Sequence, residues 1–138
     1  MTPTAILQGR HTFHKLEKLC SRKLFTELAA KGQKINAFPF RLVWLQSPLP
    51  SQYPIQAGFT VPKRNFKKAV DRNRVKRLMR EVYRKNKADL YSLKSVSVSQ
   101  YALLFIYSGT ELPDFPITEE KIKLLLHRFA ELSKKNTE

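Results

Sequence analysis

Apolar residues recur at helical spacing near the start of the chain. They repeat every three to four positions, at Leu24, Phe25, Leu28 and Ala29. This spacing is typical of a helix with one buried side. Ser21 is a suitable N-cap and Gly32 a suitable C-terminal stop. The pattern therefore predicts a first helix over residues 22–31.

Two later segments alternate between faces, as strands do. Residues 40–45 place Phe40, Leu42 and Trp44 on one face and Arg41, Val43 and Leu45 on the other. Residues 55–61 place Phe59 and Val61 on one face and Gly58 and Thr60 on the other. We expect Trp44 in the core and Arg41, Val43 and Thr60 on the wetter face. An exposed Trp44 that stacks on a base is the less favoured alternative.

A long helix is predicted over residues 69–87. Its apolar stripe consists of Val75, Leu78, Met79 and Val82. At 100° per residue the opposite face carries Asn73, Lys76, Arg80, Arg84 and Lys87. On a flank, Arg77, Glu81 and Lys85 are spaced for i, i+4 pairing.

The last part of the chain predicts a strand and a helix. Residues 101–107 form a continuous apolar run, which indicates a strand buried on both faces. Thr118 can cap a final helix whose inner face holds Ile122, Leu125, Leu126, Phe129 and Leu132. The fold class is therefore α/β, an α+β sandwich in which helices cover a small mixed sheet. We expect one domain over residues 1–138, with a core of about 12–132 and short flexible termini.

Charge is concentrated in one segment. Residues 63–87 hold 12 bases and two acids, a net charge of +10 out of +15 for the whole chain. Such self-repulsion points to an anionic partner, first of all nucleic acid; an anionic membrane surface is the weaker alternative. No run of 18 apolar residues exists, and residues 1–14 lack the apolar stretch of a secretion signal.

Residues suited to metal or nucleophilic catalysis are few. The chain has only 11 acids, of which Asp71 and Glu81 are interpreted as local charge balance. The histidines, His11, His14 and His127, are scattered without ligand spacing. Cys20 is the single cysteine, so an internal disulfide is excluded; we expect it to be a small core residue in a protein of the reducing cytoplasm. No catalytic and no metal-binding residue is expected.

The order of residues within the basic segment resembles a known signature. Thr60-Val61-Pro62-Lys63-Arg64-Asn65, followed by Arg72-Asn73-Arg74-Val75-Lys76-Arg77-Leu78-Met79-Arg80-Glu81, looks like the Arg-Asn-Arg motif of the bacterial ribonuclease P protein subunit. Leu19, Phe25 and Gly32 also match the family's first helix. Two positions depart from the family: Ala29 stands where a second Phe is common, and Lys18 where Arg is frequent.

The resemblance implies a protein that assists a ribozyme. The catalytic RNA would hydrolyse one phosphodiester at the 5′ end of precursor tRNA, with Mg²⁺ held chiefly by RNA and no cofactor intrinsic to the protein. Binding of the catalytic RNA would fall to Lys63, Arg64, Lys67, Lys68, Arg72, Asn73, Arg74, Lys76, Arg77 and Arg80. The single-stranded 5′ leader would lie in a cleft between the first helix and the sheet, lined by Phe25, Arg41, Val43 and Thr60.

The resemblance also implies the order of the elements and the hand of one crossover. The expected order is α-β-β-β-α-β-α with about four strands and three helices, and with a left-handed crossover built on the Arg-Asn-Arg helix. The general rule for such crossovers favours the opposite hand.

A structural RNA-binding protein, such as a ribosomal protein, is the main alternative function, and a self-sufficient nuclease is a weaker one. Phe25 has its own alternative, plain packing between helix and sheet.

Overall fold

The computed structural model of the protein describes residues 17–49, 52–93, 96 and 99–137. The elements are α1 (Arg22–Lys31), β1 (Gln33–Ala37), β2 (Phe40–Gln46), β3 (Ile55–Thr60), α2 (Ala69–Tyr91), β4 (Tyr101–Tyr107) and α3 (Phe115–Thr137). This order confirms α-β-β-β-α-β-α. The bounds of α1 agree with the prediction, and α2 continues beyond residue 87. The expected N-terminal tail and two of the histidines, His11 and His14, lie outside the described residues.

The four strands form one mixed sheet in the order β1-β2-β4-β3. β1 and β2 are antiparallel, β2 and β4 are antiparallel, and β3 runs parallel to β4. The connection from β3 to its parallel neighbour β4 is made through α2. Because β1 and β3 are the edges, the apolar run of β4 lies in the interior of the sheet, and its residues are buried or half-buried on both faces.

The larger core lies between one face of the sheet and the helices α2 and α3. Trp44 is 1% exposed, and its ring contacts Tyr101 at 5.9 Å and Phe129 at 5.3 Å between centroids. Phe105 lies in the same layer and contacts Tyr83 of α2 at 5.7 Å. The placement of Trp44 in the core is thereby confirmed, so it offers no surface for a base.

The smaller core lies on the opposite face, beneath α1. Leu24 and Leu28 of α1 pack there with Val43 of β2. Gly32 ends the helix where the chain turns into β1, and a Cβ at this position would lie 2.5 Å from both Leu28 O and Val43 Cγ1. Glycine is therefore required by the close approach of helix and sheet, and α1 covers only part of this face.

Hydrogen bonds give the hand of the β3–α2–β4 crossover. Tyr101 faces the larger core, on the α2 side of the sheet. Its N–H donates to Pro54 O, so β3 lies on the side of β4 to which this N–H points. For an L-residue viewed with its side chain forward and its strand running upward, the N–H points to the right. Viewed from α2 with both strands running upward, β3 thus lies to the right of β4. The chain therefore moves to the left as it passes from β3 through α2 to β4. The crossover is left-handed, as the resemblance implied and against the usual rule.

Two local predictions were wrong. The last helix begins at Phe115 rather than after Thr118, because the Asp114 carboxylate accepts from the Ile117 N–H at 2.9 Å and caps the helix. Thr118 is fully buried inside the helix and donates its hydroxyl to Asp114 O at 2.7 Å. Cys20 was expected in the core, but its side chain is exposed; Leu19 beside it is the buried residue.

Candidate nucleic-acid interface

The first half of α2 and the loop before it form the basic surface. We define this surface by the ten predicted ligands of the catalytic RNA: Lys63, Arg64, Lys67, Lys68, Arg72, Asn73, Arg74, Lys76, Arg77 and Arg80. All ten are exposed or half-buried. In the apolar stripe of the same helix, Val75, Met79 and Val82 are buried and Leu78 is half-buried. The segment folds in this way because Val75 and Met79 insert into the core and leave the remaining sides of the helix to the solvent. The structure therefore presents one continuous cationic surface.

Arg72 differs from its neighbours because it holds the loop. Its Nη1 donates to the backbone O of Phe66 at 2.6 Å and of Lys67 at 3.1 Å. Phe66 is buried and stacks on Tyr107 at 6.1 Å, so the loop is attached at two points. Its guanidinium therefore shapes the surface as well as charging it, so the loss of Arg72 should lower stability although its side chain lies off the apolar stripe.

Glu81 ends the basic surface along α2. Its carboxylate lies 2.6 Å from Arg84 Nη2 and 3.9 Å from Lys85 Nζ. The hydrogen bond to Arg84 lowers the pKa of Glu81 and raises the pKa of Arg84. Local charge balance by Glu81 is confirmed, although its partners are Arg84 and Lys85 and not Arg77. These pairs leave Arg74, Arg77 and Arg80 as the stronger candidates for phosphate.

Lys87 does not belong to the solvated basic face, contrary to the prediction from periodicity. It is fully buried, and its Nζ lies 2.7 Å from both carboxylate oxygens of Glu17. Tyr91 donates its hydroxyl to the same carboxylate at 2.6 Å. Burial lowers the pKa of Lys87, and the hydrogen bonds to Glu17 oppose this shift. The group is structural, since it attaches the segment before α1 to the end of α2.

The second candidate surface is a row of side chains across the sheet on the α1 side. Strand pairing sets Asn36 opposite Arg41, Arg41 opposite Ile106, and Ile106 opposite Thr60. We call Asn36, Arg41, Ile106 and Thr60 the cleft row. All four are exposed or half-buried, and neighbouring strands lie about 4.8 Å apart, so the row spans roughly 14 Å. It offers an apolar centre flanked by polar groups.

The predicted leader ligands fall into two groups. Arg41 and Thr60 lie in the cleft row, and Phe25 of α1 is 37% exposed, which leaves part of its ring accessible. Val43 is only 5% exposed because α1 covers it, so it supports the cleft from beneath. Ala29, one helical turn after Phe25, is exposed and adds no aromatic surface.

Two residues of the cleft row were missed from the sequence. Asn36 was missed because β1 has only two inward apolar residues, Ile35 and Ala37, and so gives a weak strand pattern. Ile106 was missed because β4 is apolar at every position, which hides its two faces. The aromatic residues at 101, 105 and 107 could have revealed the parity of β4, since large rings favour the thicker core.

The two surfaces meet at one end of the sheet. Thr60 ends β3, and Lys63 and Arg64 of the basic surface follow within four residues. A single polyanion, or two that lie side by side, could thus contact both surfaces. Among the residues that the structure describes, no group of three His, Cys, Asp or Glu side chains could hold a metal ion. The exposed cations and the partly accessible apolar groups of the interface are suited to binding phosphate and bases.

The fold and these surfaces define a small basic α/β protein whose exposed cations are concentrated on α2 and the loop before it. The ribonuclease P family model matches residues 13–130. The chain is 33% identical to the ribonuclease P protein component of Chlorobium phaeobacteroides, over 90% of each chain. It is 34% identical to that of Porphyromonas gingivalis, over 84% of this chain and 85% of the relative. The chain belongs to the ribonuclease P protein family, whose members are components of a tRNA-processing enzyme.

Solved structures agree with the fold. The ribonuclease P protein from Thermotoga maritima superposes with a TM-score of 0.64 at 24% identity, covering 80% of this chain and 96% of that chain. The protein from Staphylococcus aureus gives 0.63 at 17% identity, covering 82% and 94%. In the described part of the chain, every helix is too short or too polar to cross a membrane.

Proposed function

We propose that this protein binds the catalytic RNA of ribonuclease P and the 5′ leader of precursor tRNA, and so assists endonucleolytic removal of the leader. The RNA is the catalyst, and Mg²⁺ is held chiefly by RNA. The protein acts in the cytoplasm as the accessory subunit of this hydrolase. Its own side chains bind and position RNA. The observation that carries the proposal is the cleft row beside the basic surface, on a chain of this family.

The basic surface is suited to the catalytic RNA. Arginine forks match phosphate oxygens with two hydrogen bonds, and lysine adds a point charge. Asn73 lies exposed between Arg72 and Arg74 and can both donate to and accept from a sugar or a base edge. The phosphate contacts are sequence-independent and orient the protein on a folded RNA.

The cleft row is suited to a single strand. Its floor is Ile106, which can contact a base, while Arg41 and Thr60 offer donors for phosphate and sugar. Phe25 adds part of a ring for stacking. A duplex hides its base faces, whereas a leader exposes them. Discrimination of precursor from mature tRNA would then come from contacts that only the precursor can make.

Reconstitution tests the proposal. Protein alone should leave precursor tRNA intact, because the described residues supply no acid cluster for metal-dependent hydrolysis. Added to the catalytic RNA, the protein should lower the Mg²⁺ concentration needed for cleavage, since its bases neutralise crowded phosphates. Cleavage is followed by the release of labelled leader over a Mg²⁺ titration. Site-specific cleavage by RNA-free protein, or an unchanged Mg²⁺ requirement, would contradict the proposal.

The same assay separates this function from that of a structural RNA-binding protein. A ribosomal protein of equal charge would bind RNA without raising leader removal at low Mg²⁺. Heat-denatured protein and a basic peptide covering residues 63–87 serve as controls for charge alone. Stimulation by the folded protein that the peptide does not reproduce supports the processing role.

Replacement of Phe25 by Ala should weaken precursor tRNA binding and leave mature tRNA binding nearly unchanged. Loss of stacking costs about 1–3 kcal/mol per base, which corresponds to a fivefold to 150-fold weaker complex. The measurement is the affinity of holoenzyme for both tRNAs. Phe25→Tyr, which keeps the ring, is the matched control, and circular dichroism checks the fold. Equal losses for both tRNAs would mean that Phe25 is an ordinary packing residue.

A further inference from the structure

A cluster at the β1 edge of the sheet holds two arginines on one asparagine. Arg128 of α3 donates from Nη1 to Asn36 O at 2.6 Å, and Arg41 of β2 donates from Nε to Asn36 Oδ1 at 2.8 Å. Within the ranges that the structure describes, neither arginine forms an ion pair. Two like charges are thus attached to one residue, and an anion would relieve their repulsion.

The hydrogen bonds of this cluster leave most of its donors available. A guanidinium has five N–H groups, and each of these bonds uses one. Both arginines are exposed, and the remaining N–H groups have no acceptor among the described residues. Because Asn36 fixes both groups, they lose less freedom on binding than unattached side chains would. Two fixed forks of donors are suited to the oxygens of a phosphate.

An exposed aromatic ring follows this cluster along the chain. Phe38 follows β1 directly, two residues after Asn36, and is 77% exposed. The turn that carries it is attached to the end of β4, since Pro39 O accepts from the N–H of Ser108 at 2.8 Å and from its hydroxyl at 3.0 Å. A large ring on a fixed turn, next to cations, is suited to stacking on a base.

The cluster continues the cleft row. Asn36 and Arg41 are the β1 and β2 members of that row, and Arg128 extends it around the edge of the sheet to α3. A strand that runs along the row from Thr60 reaches Asn36 after three strand spacings, roughly 14 Å. A longer strand would then meet Arg128 and Phe38.

We propose that Arg128, Arg41 and Phe38 form a second subsite for single-stranded RNA, which binds the part of the leader farther from the cleavage site than the nucleotides in the cleft row. The guanidinium groups bind a leader phosphate, and the Phe38 ring stacks on an adjacent base. This inference rests on the proposed function of the cleft row as the leader site.

The experiment uses holoenzyme and precursor tRNAs whose leaders are lengthened one nucleotide at a time, up to about 16, the upper site size of comparable grooves. Wild-type affinity should increase in two stages with length. Arg128→Gln and Phe38→Leu should each abolish the second stage, with a loss of about fivefold for long leaders only, the low end of the stacking range. Phe38→Tyr should retain it. Lys135→Gln, which removes the same charge two turns along α3, is the matched control.

Each contrary outcome is distinct. Equal losses at every leader length, or weaker assembly with the catalytic RNA alone, would place the contact on that RNA and overturn the inference. Wild-type affinity that increases in one short stage, with unchanged variants, would overturn it and leave the cleft row standing. Wild-type affinity independent of the leader would overturn the proposed function as well. Thermal unfolding checks that each variant is folded. If Arg128→Gln is unstable, Phe38→Leu still tests the inference, because an exposed side chain contributes little to stability.

Discussion

Replacement of four bases of α2 by glutamine should weaken binding of the catalytic RNA about a thousandfold near 0.1 M salt. The four are Arg74, Lys76, Arg77 and Arg80. Each phosphate contact releases roughly 0.7–0.9 counterion, so the slope of log affinity against log salt should fall by about three. Arg72 is left in place because its bonds to Phe66 and Lys67 hold the loop. The measurement is the affinity for the catalytic RNA at several salt concentrations.

The matched control removes the same charge from another helix. Lys121, Lys123, Lys134 and Lys135 of α3 change to glutamine, which leaves the same net charge with the basic surface intact. We expect a much smaller decrease in slope and affinity, because long-range attraction is screened beyond about 8–10 Å. Equal effects of the two variants would mean that the RNA responds to total charge and that the basic surface is not a specific contact. Both variants should unfold near the wild-type temperature.

Local signals explain why much of the fold could be predicted. The Ser21 hydroxyl oxygen accepts the Leu24 N–H at 3.3 Å, and Gly32 ends the helix, so both bounds of α1 are set by residues next to them. Alternation predicted which face of β2 lies in the larger core, because Trp44 and its neighbours are large. It did not predict that α1 would bury Val43 on the other face. The resemblance supplied the left-handed crossover, which no local pattern indicates. Thr118 and Asp114 show the limit, since both residue types cap helices and only packing decides between them.

Long-range packing explains what could not be predicted. Lys87 lies on the polar side of α2 by periodicity, yet the segment around Glu17 covers it: Lys18 pairs with Ala57, and Leu19 N–H donates to Ala57 O at 3.0 Å. The contact joins residues 70 positions apart. The sequence does contain one indication that Lys87 is buried. Tyr83, Lys87 and Tyr91 are spaced at i, i+4 and i+8, so Lys87 lies between two tyrosines on one side of the helix.

The basic surface could be predicted from the sequence, but the cleft row could be predicted only in part. The basic surface is continuous in sequence, so its residues could be named before its shape was known. The cleft row draws one residue from each of four strands, and only the strand register brings them into line. Arg41 and Thr60 were found by parity. Asn36 could not be, because its strand was not recognised, and the contact of Arg128 with it joins residues 92 positions apart.

Loss of either partner of the buried ion pair should destabilise the protein strongly. Lys87→Met removes the ammonium partner of the buried Glu17 carboxylate, which still accepts from the Tyr91 hydroxyl. The removal of one partner of a buried pair costs about 3–5 kcal/mol. The measurement is the free energy of unfolding in urea. The double variant Glu17→Leu, Lys87→Met should recover much of the loss, because it leaves no unpaired charge. A single-variant loss below about 1 kcal/mol would contradict this account.

Stability of Glu17→Gln should rise with pH more steeply than that of the wild type. Burial lowers the pKa of Lys87 in the folded protein, and the hydrogen bonds to Glu17, which oppose this shift, are weakened in the variant. Between the folded pKa and the unfolded value of about 10.4, the unfolded chain binds the additional proton, so the free energy of unfolding increases as pH rises through this window. Urea unfolding between pH 7 and about 10 measures the slope. Leu24→Ala, which cuts an apolar side chain near the same segment, is the control and should lower stability equally at each pH. If the two variants respond alike to pH, Lys87 is held by packing and its charge is not the source of the effect.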